Sequence, residues 1–152
     1  MRIDKIIFFL IIVIFSLGIY SSITIGISWD EPSSNNHSLA KIEFLKTLGN
    51  NKDYLNYFES QNPGFYTTVL AFVTNLFPNF MVYEIRHLIN FLVSTLTLLG
   101  TYLLVRETFD ERVALLTVLV ILLNPFFFGF MSITVRDMTV CFAYIWTTYF
   151  FF

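Results

Sequence analysis

Apolar residues in this chain arrive in long uninterrupted blocks, and the charges are confined to the gaps between them. Residues 6–27, 87–105, 113–131 and 138–152 each run without an Asp, Glu, Lys or Arg. Blocks close to the roughly 20 residues that cross a bilayer are the mark of transmembrane helices, whereas barrel strands would alternate apolar and polar positions. The pattern therefore predicts an all-α integral membrane protein with about four transmembrane helices. The last block stops while still apolar and short of a full span, which is what a chain truncated from a longer polytopic protein would present.

Residues 28–86 break the pattern with a mixed polar segment, read as a loop outside the membrane that carries two short interfacial helices. The first is expected over residues 38–49, with Ser38 as its cap, Leu39, Ile42, Leu45 and Leu48 on one stripe, and Gly49 ending it. The second is expected over residues 64–77, placing Phe65, Tyr66, Val69, Phe72, Val73 and Leu76 on one apolar face before Pro78 closes it. Residues 64–83 also hold no charge and are long enough to span, so the sequence alone leaves that segment either interfacial or transmembrane.

Composition agrees with the blocks. The 152 residues are 56% hydrophobic, 19% aromatic and only 13% charged, with a mean hydropathy of +0.69. A soluble domain of this size could not enclose so much apolar surface. A net charge of −2 with no basic run excludes nucleic acid as a partner. Arg2 and Lys5 before the first block favour a cytoplasmic N-terminus and a retained helix rather than a signal peptide, whose apolar core would be shorter. The positive-inside rule does not choose between the two readings of residues 64–83, because both place four basic residues inside and two outside. The expected setting is a plasma or inner membrane with the lipid bilayer as partner. Cys141, alone of its kind, reads as a small apolar packing residue.

Candidate chemistry concentrates at the block ends. Asp30 and Glu31 follow the first block directly, in Trp29-Asp30-Glu31-Pro32. A carboxylate there can serve as general base toward an acceptor hydroxyl or amine or can hold a divalent cation, and it can equally be a solvated pair beside an aromatic anchor. Asp137, with Arg136, interrupts two apolar blocks where charge is costly unless it sits at a helix boundary or lines a cavity. Arg86, near Glu84 and His87, either contacts a phosphate or snorkels to the headgroups. His37 has no second ligand at metal-binding spacing. Asn124-Pro125 is expected to kink its helix.

Taken in order, SWDEP after the first helix, HSLAKIEFLKTLGN, QNPGFYTTVLAFVTNLFP, the long run from IRHLINF to NPFFFGF, and ITVRDMTVCFAYIW resemble the N-terminal part of the GT-C superfamily of polyprenyl-phosphate-sugar-dependent glycosyltransferases, which includes protein O-mannosyltransferases and aminoarabinose transferases. The resemblance covers nearly the whole chain, and it departs from the family pattern where Asn62-Pro63-Gly64 replaces a Pro-Pro pair.

The resemblance implies that Asp30, with Glu31 beside it, supplies the catalytic base, that Asp137 is the acid of the second outer loop, and that the segment after Pro63 is a juxtamembrane helix on the same outer face. It implies a polyprenyl-phosphate sugar as donor substrate, an acceptor of unspecified identity, no resident cofactor, and Arg86 or Arg136 as contacts for the leaving phosphate. The later helices would be missing, so the 152 residues alone are expected to be inactive. The competing reading is a non-enzymatic membrane subunit or transporter fragment whose outer loop is a binding module; polar or helix-breaking residues near mid-membrane in several spans would favour it, and only Asn124-Pro125 approaches that pattern.

Overall fold

The computed structural model describes residues 2–57, 64–133 and 135–152, with the side chains of 2–4 and 135 left aside. Among these described residues seven α-helices follow one another: α1 (Arg2–Thr24), α2 (Glu31–Lys46), α3 (Phe65–Thr74), α4 (Val82–Thr108), α5 (Glu111–Leu123), α6 (Pro125–Ile133) and α7 (Val135–Phe151), with short 3₁₀ turns at Asp53–Asn56 and Asn79–Met81. Among the described residues there is no strand, so the all-α class holds. The chain forms two compact units, one of residues 1–24 with 87–152 and the other of residues 25–86.

Two stretches, Lys5–Thr24 and Asn79–Thr108, are long and apolar enough to cross a membrane, and the second of them belongs to the first unit from His87 on. From Ile6 to Ile19, helix α1 carries apolar residues on every side. It closes on α4 at Gly18, where an added Cβ would overlap the Phe91 ring. Phe91, Leu98, Val118, Leu122 and Met131 form the buried core around that contact. A second close approach occurs at Gly100, over which Ile145 and Trp146 of α7 pack; Trp146 Nε1 donates to Leu96 O at 3.1 Å.

The block over residues 113–131 bends at Asn124-Pro125, where the sequence places a kink. Helices α5 and α6 meet at Asn124 with a bend of 74°. A residue preceding proline is driven to extended backbone, and Asn124 (φ −72°, ψ 117°) obeys; Pro125 then begins α6, where its missing N–H costs nothing. Asn124 Oδ1 caps the new helix by accepting from Phe126 N and Phe127 N. At the other end of α6, Asn90 Nδ2 donates to Ser132 O at 3.0 Å, and Ser94 Oγ shares its proton between Asn90 O and Met131 O, each at 2.9 Å. Ser22 of α1 meets Ser132 through their hydroxyls at 2.6 Å. Side chains from two long helices thus satisfy carbonyls that the end of a helix leaves bare. Cys141 lies exposed on α7 and does not pack in the core, whereas Met138 of that helix is buried.

In the second unit, α2 begins at Glu31, earlier than the expected start at Ser38, and Ser38 is buried mid-helix with its hydroxyl on Ser34 O. Its end matches a Schellman motif: Gly49 N donates to Phe44 O at 2.9 Å and Leu48 N to Leu45 O at 3.2 Å, with Leu48 in the left-handed region (φ 52°). Helix α3 covers Phe65–Thr74, within the expected 64–77, but a different face is buried. Thr67, Leu70, Ala71 and Thr74 are enclosed, while Phe65, Val69, Phe72 and Leu76 are exposed. Small side chains let α2 approach α3 closely, and the large ones are left outward. Ten residues rise about 15 Å, half of a hydrocarbon core, so α3 is too short to cross a bilayer by itself. Asn62 and Pro63, where the sequence departs from the family pattern, lie outside the described residues.

Candidate functional site

Adjacent carboxylates in Trp29-Asp30-Glu31-Pro32 are turned to different environments by the start of α2. Glu31 is 3% exposed, and its Oε2 accepts the Ser28 backbone N–H at 2.7 Å, which closes the turn that leads into α2. Asp30 is exposed at the N-cap position and accepts a short hydrogen bond from Ser28 Oγ. Its backbone carbonyl takes the first helical bond, from Ser34 N at 2.9 Å. Pro32 in the first turn fixes the helical φ without needing a partner for an N–H. Of the two acids, Glu31 holds the chain and Asp30 is presented.

One turn beyond Glu31, Asn35 Oδ1 accepts from Arg86 Nη1 at 3.0 Å. Arg86 is fully enclosed and does not extend toward headgroups, so the snorkelling reading fails. Tyr66 of α3 completes this group: burial pushes its phenol up to about 12, and the nearby Arg86 charge works in the opposite direction. Glu31, Asn35, Ser38 and Ile42 recur along one side of α2, and that side is largely buried although three of the four are polar. Neither Asn35 nor Tyr66 stands out in the sequence; the one available signal is the four-residue spacing of Asn35 from Glu31. His37 packs against the rings of Tyr54 and Tyr57, at 6.5 and 5.5 Å.

In the other unit, Arg136 and Asp137 are exposed in the first turn of α7. The positive end of the helix dipole favours a carboxylate at that place. The five residues singled out by the sequence therefore divide: Asp30, Glu31 and Arg86 belong to one unit, Arg136 and Asp137 to the other. Among the described residues, no group of three or more His, Cys, Asp or Glu gathers as a metal site.

The family model of dolichyl-phosphate-mannose-protein mannosyltransferases matches residues 61–152. The chain belongs to that family. It is a membrane glycosyltransferase of the GT-C type, as the resemblance implied, and an integral membrane protein in a family that implies a lipid-linked sugar donor. The match takes in α3 to α7, with Arg86, Arg136 and Asp137, and leaves α1, α2, Asp30 and Glu31 to the sequence and the geometry. No curated protein and no solved structure matches the chain.

Proposed function

We propose that the membrane glycosyltransferase to which these 152 residues contribute transfers a sugar from a polyprenyl-phosphate donor to an acceptor hydroxyl or amine at the outer face of its membrane, with Asp30 as the general base. The observation that carries the reading is the division of labour at the start of α2, where Glu31 is buried on a backbone N–H and Asp30 is left exposed. Asp30 takes the acceptor proton, the acceptor oxygen or nitrogen bonds to the anomeric carbon, and the bond from that carbon to the phosphate oxygen breaks with inversion. The phosphate leaves with the electron pair and stays on its lipid. Arg136, exposed at the start of α7, is the cation assigned to the developing phosphate charge, and Asp137 beside it is the second acid of the site. Arg86 acts through Asn35, as a positioning residue. An interfacial α3 keeps Asp30 and Asp137 on one side of the bilayer, and its length of about 15 Å supports that arrangement.

The test is transfer of radiolabelled sugar from a polyprenyl-phosphate donor in membranes of cells that make the protein naturally, with substitutions placed in its own gene. Asp30→Asn is expected to lower transfer by about 10²- to 10⁴-fold, the range for loss of a general base, while protein abundance is unchanged. Glu31→Gln is expected to lower abundance and leave the rate per molecule near wild type. Equal transfer by Asp30→Asn and wild type would remove Asp30 from the chemistry.

A further inference from the structure

The first unit carries an open groove of about 710 Å³ along α1, α4 and α5. Phe8, Ile11, Leu98, Leu115 and Val118 make its lining largely apolar, and Phe8 is 59% exposed. Charge enters that lining at Lys5 and Glu111, the first groove residues of α1 and of α5, and both are exposed. The two stand at one end. Phe91, early in α4, packs on Gly18, late in α1, so α4 runs back toward Lys5, and the short turn at Phe109 and Asp110 starts α5 there. At the other end, the last groove residue of α1 is Phe15, whose ring lies 5.1 Å from that of the buried Phe91. From Lys5 to Phe15, α1 rises about 15 Å, half of a hydrocarbon core of roughly 30 Å. The groove is therefore one leaflet deep. A helix crossing the membrane would need a seat through both leaflets, whereas an acyl chain needs only one.

An apolar slot of that depth, with one cation and one anion at its mouth, has the chemistry of a zwitterionic lipid. We propose that this groove holds an acyl chain of a glycerophospholipid with a primary amine, its phosphate at Lys5 and its ammonium at Glu111. An ammonium donates to a carboxylate, whereas a trimethylammonium has no N–H to donate and an anionic glycerol headgroup brings no cation to Glu111. Lys5 precedes the apolar stretch of α1 and Asp30 follows it, so this lipid is separate from the sugar donor assigned to Asp30. Its chain fills space that α1, α4 and α5 leave between them.

The test uses the protein purified from the cells that make it naturally. It is reconstituted in vesicles of equal parts phosphatidylethanolamine, phosphatidylglycerol and phosphatidylcholine, one lipid at a time carrying a diazirine on its acyl chain. After irradiation, adducts are located by peptide mass spectrometry. Adducts within residues 8–15 and 115–122 are expected to form with phosphatidylethanolamine about two- to fivefold more than with either other lipid, while adducts elsewhere on the chain show no preference. Lys5→Gln with Glu111→Gln should abolish the preference, and Lys5→Arg with Glu111→Asp should keep it, which separates loss of charge from loss of fold. Equal labelling of the groove by the three lipids, or preference for either of the others, would overturn the proposal. Absence of adducts in the groove would overturn it too, and would mean that protein covers the groove. Loss of the groove adducts on adding trace polyprenyl phosphate would overturn it in favour of the donor's tail.

Discussion

Arg86, at the start of α4, donates to Asn35 of α2 across 51 residues of sequence, and the arginine has no exposed surface. A guanidinium enclosed to that degree is tolerated only with its hydrogen-bond partners in place, and the bond ties the second unit together at its two ends. Arg86→Met is expected to destabilise the fold of residues 25–86 by about 3 kcal/mol or more, and Asn35→Ala by roughly 1–3 kcal/mol. Arg86→Lys should not rescue, since a single ammonium does not reproduce the planar fork. Limited proteolysis within residues 47–57, measured against denaturant in detergent, reads the loss.

Alkaline pH should loosen the same unit through Tyr66. Burial raises its phenol to about 12, above the ordinary value of 10, so the folded state favours the neutral form. Stability from this residue is therefore complete below about pH 10 and declines as pH rises from 10 through 12. Absorbance at 295 nm should reveal one tyrosine ionising late, and Tyr66→Phe should remove both that step and the associated loss of protease resistance.

Leu48 occupies a position better suited to glycine. At φ 52° its Cβ is strained, and it is 93% exposed, so little packing compensates. Leu48→Gly is expected to stabilise α2 by about 0.5–1 kcal/mol after allowing for the freer unfolded chain, and Leu48→Ala, which keeps the strain, should not. Thermal unfolding of the purified protein distinguishes them.

Sidedness tests the proposed arrangement of the two acids. In a Cys141→Ser background, single cysteines at Asn36 and at Thr134, which lies outside the described residues, should label from outside intact cells, while one at Thr108 is protected. Labelling at Thr108 with protection at Thr134 would put Asp30 and Asp137 on opposite sides and end the shared-site reading.

The helical membrane class is legible because lipid-facing helices need only be apolar, and blocks such as residues 6–27 announce themselves without any periodicity. Asp30 is visible for a related reason, as a charge at a block boundary. The start of α2 is hidden because its inward side is polar: Glu31, Asn35 and Ser38 are held there by hydrogen bonds, and a search for apolar stripes begins only near Leu39 and Ile42. The buried face of α3 escapes the sequence for the complementary reason. Large apolar side chains ordinarily mark the inside, yet close approach selects Ala71, Thr67 and Thr74 and leaves Phe65 and Phe72 outward. Arg86 can be read from sequence as a cation, and only its long-range partner Asn35 reveals that it works from within.

The turn at Asn124 also sets a height. Helix α5, at 13 residues, rises about 20 Å, and the 9 residues of α6, bent through 74°, add only about 4 Å along the same axis. The apolar tract thus reaches about 24 Å where an undisturbed hydrocarbon core is about 30 Å deep. With α5 along the bilayer normal, lipid beside this tract must shorten to meet it, and the mismatch thins one leaflet locally.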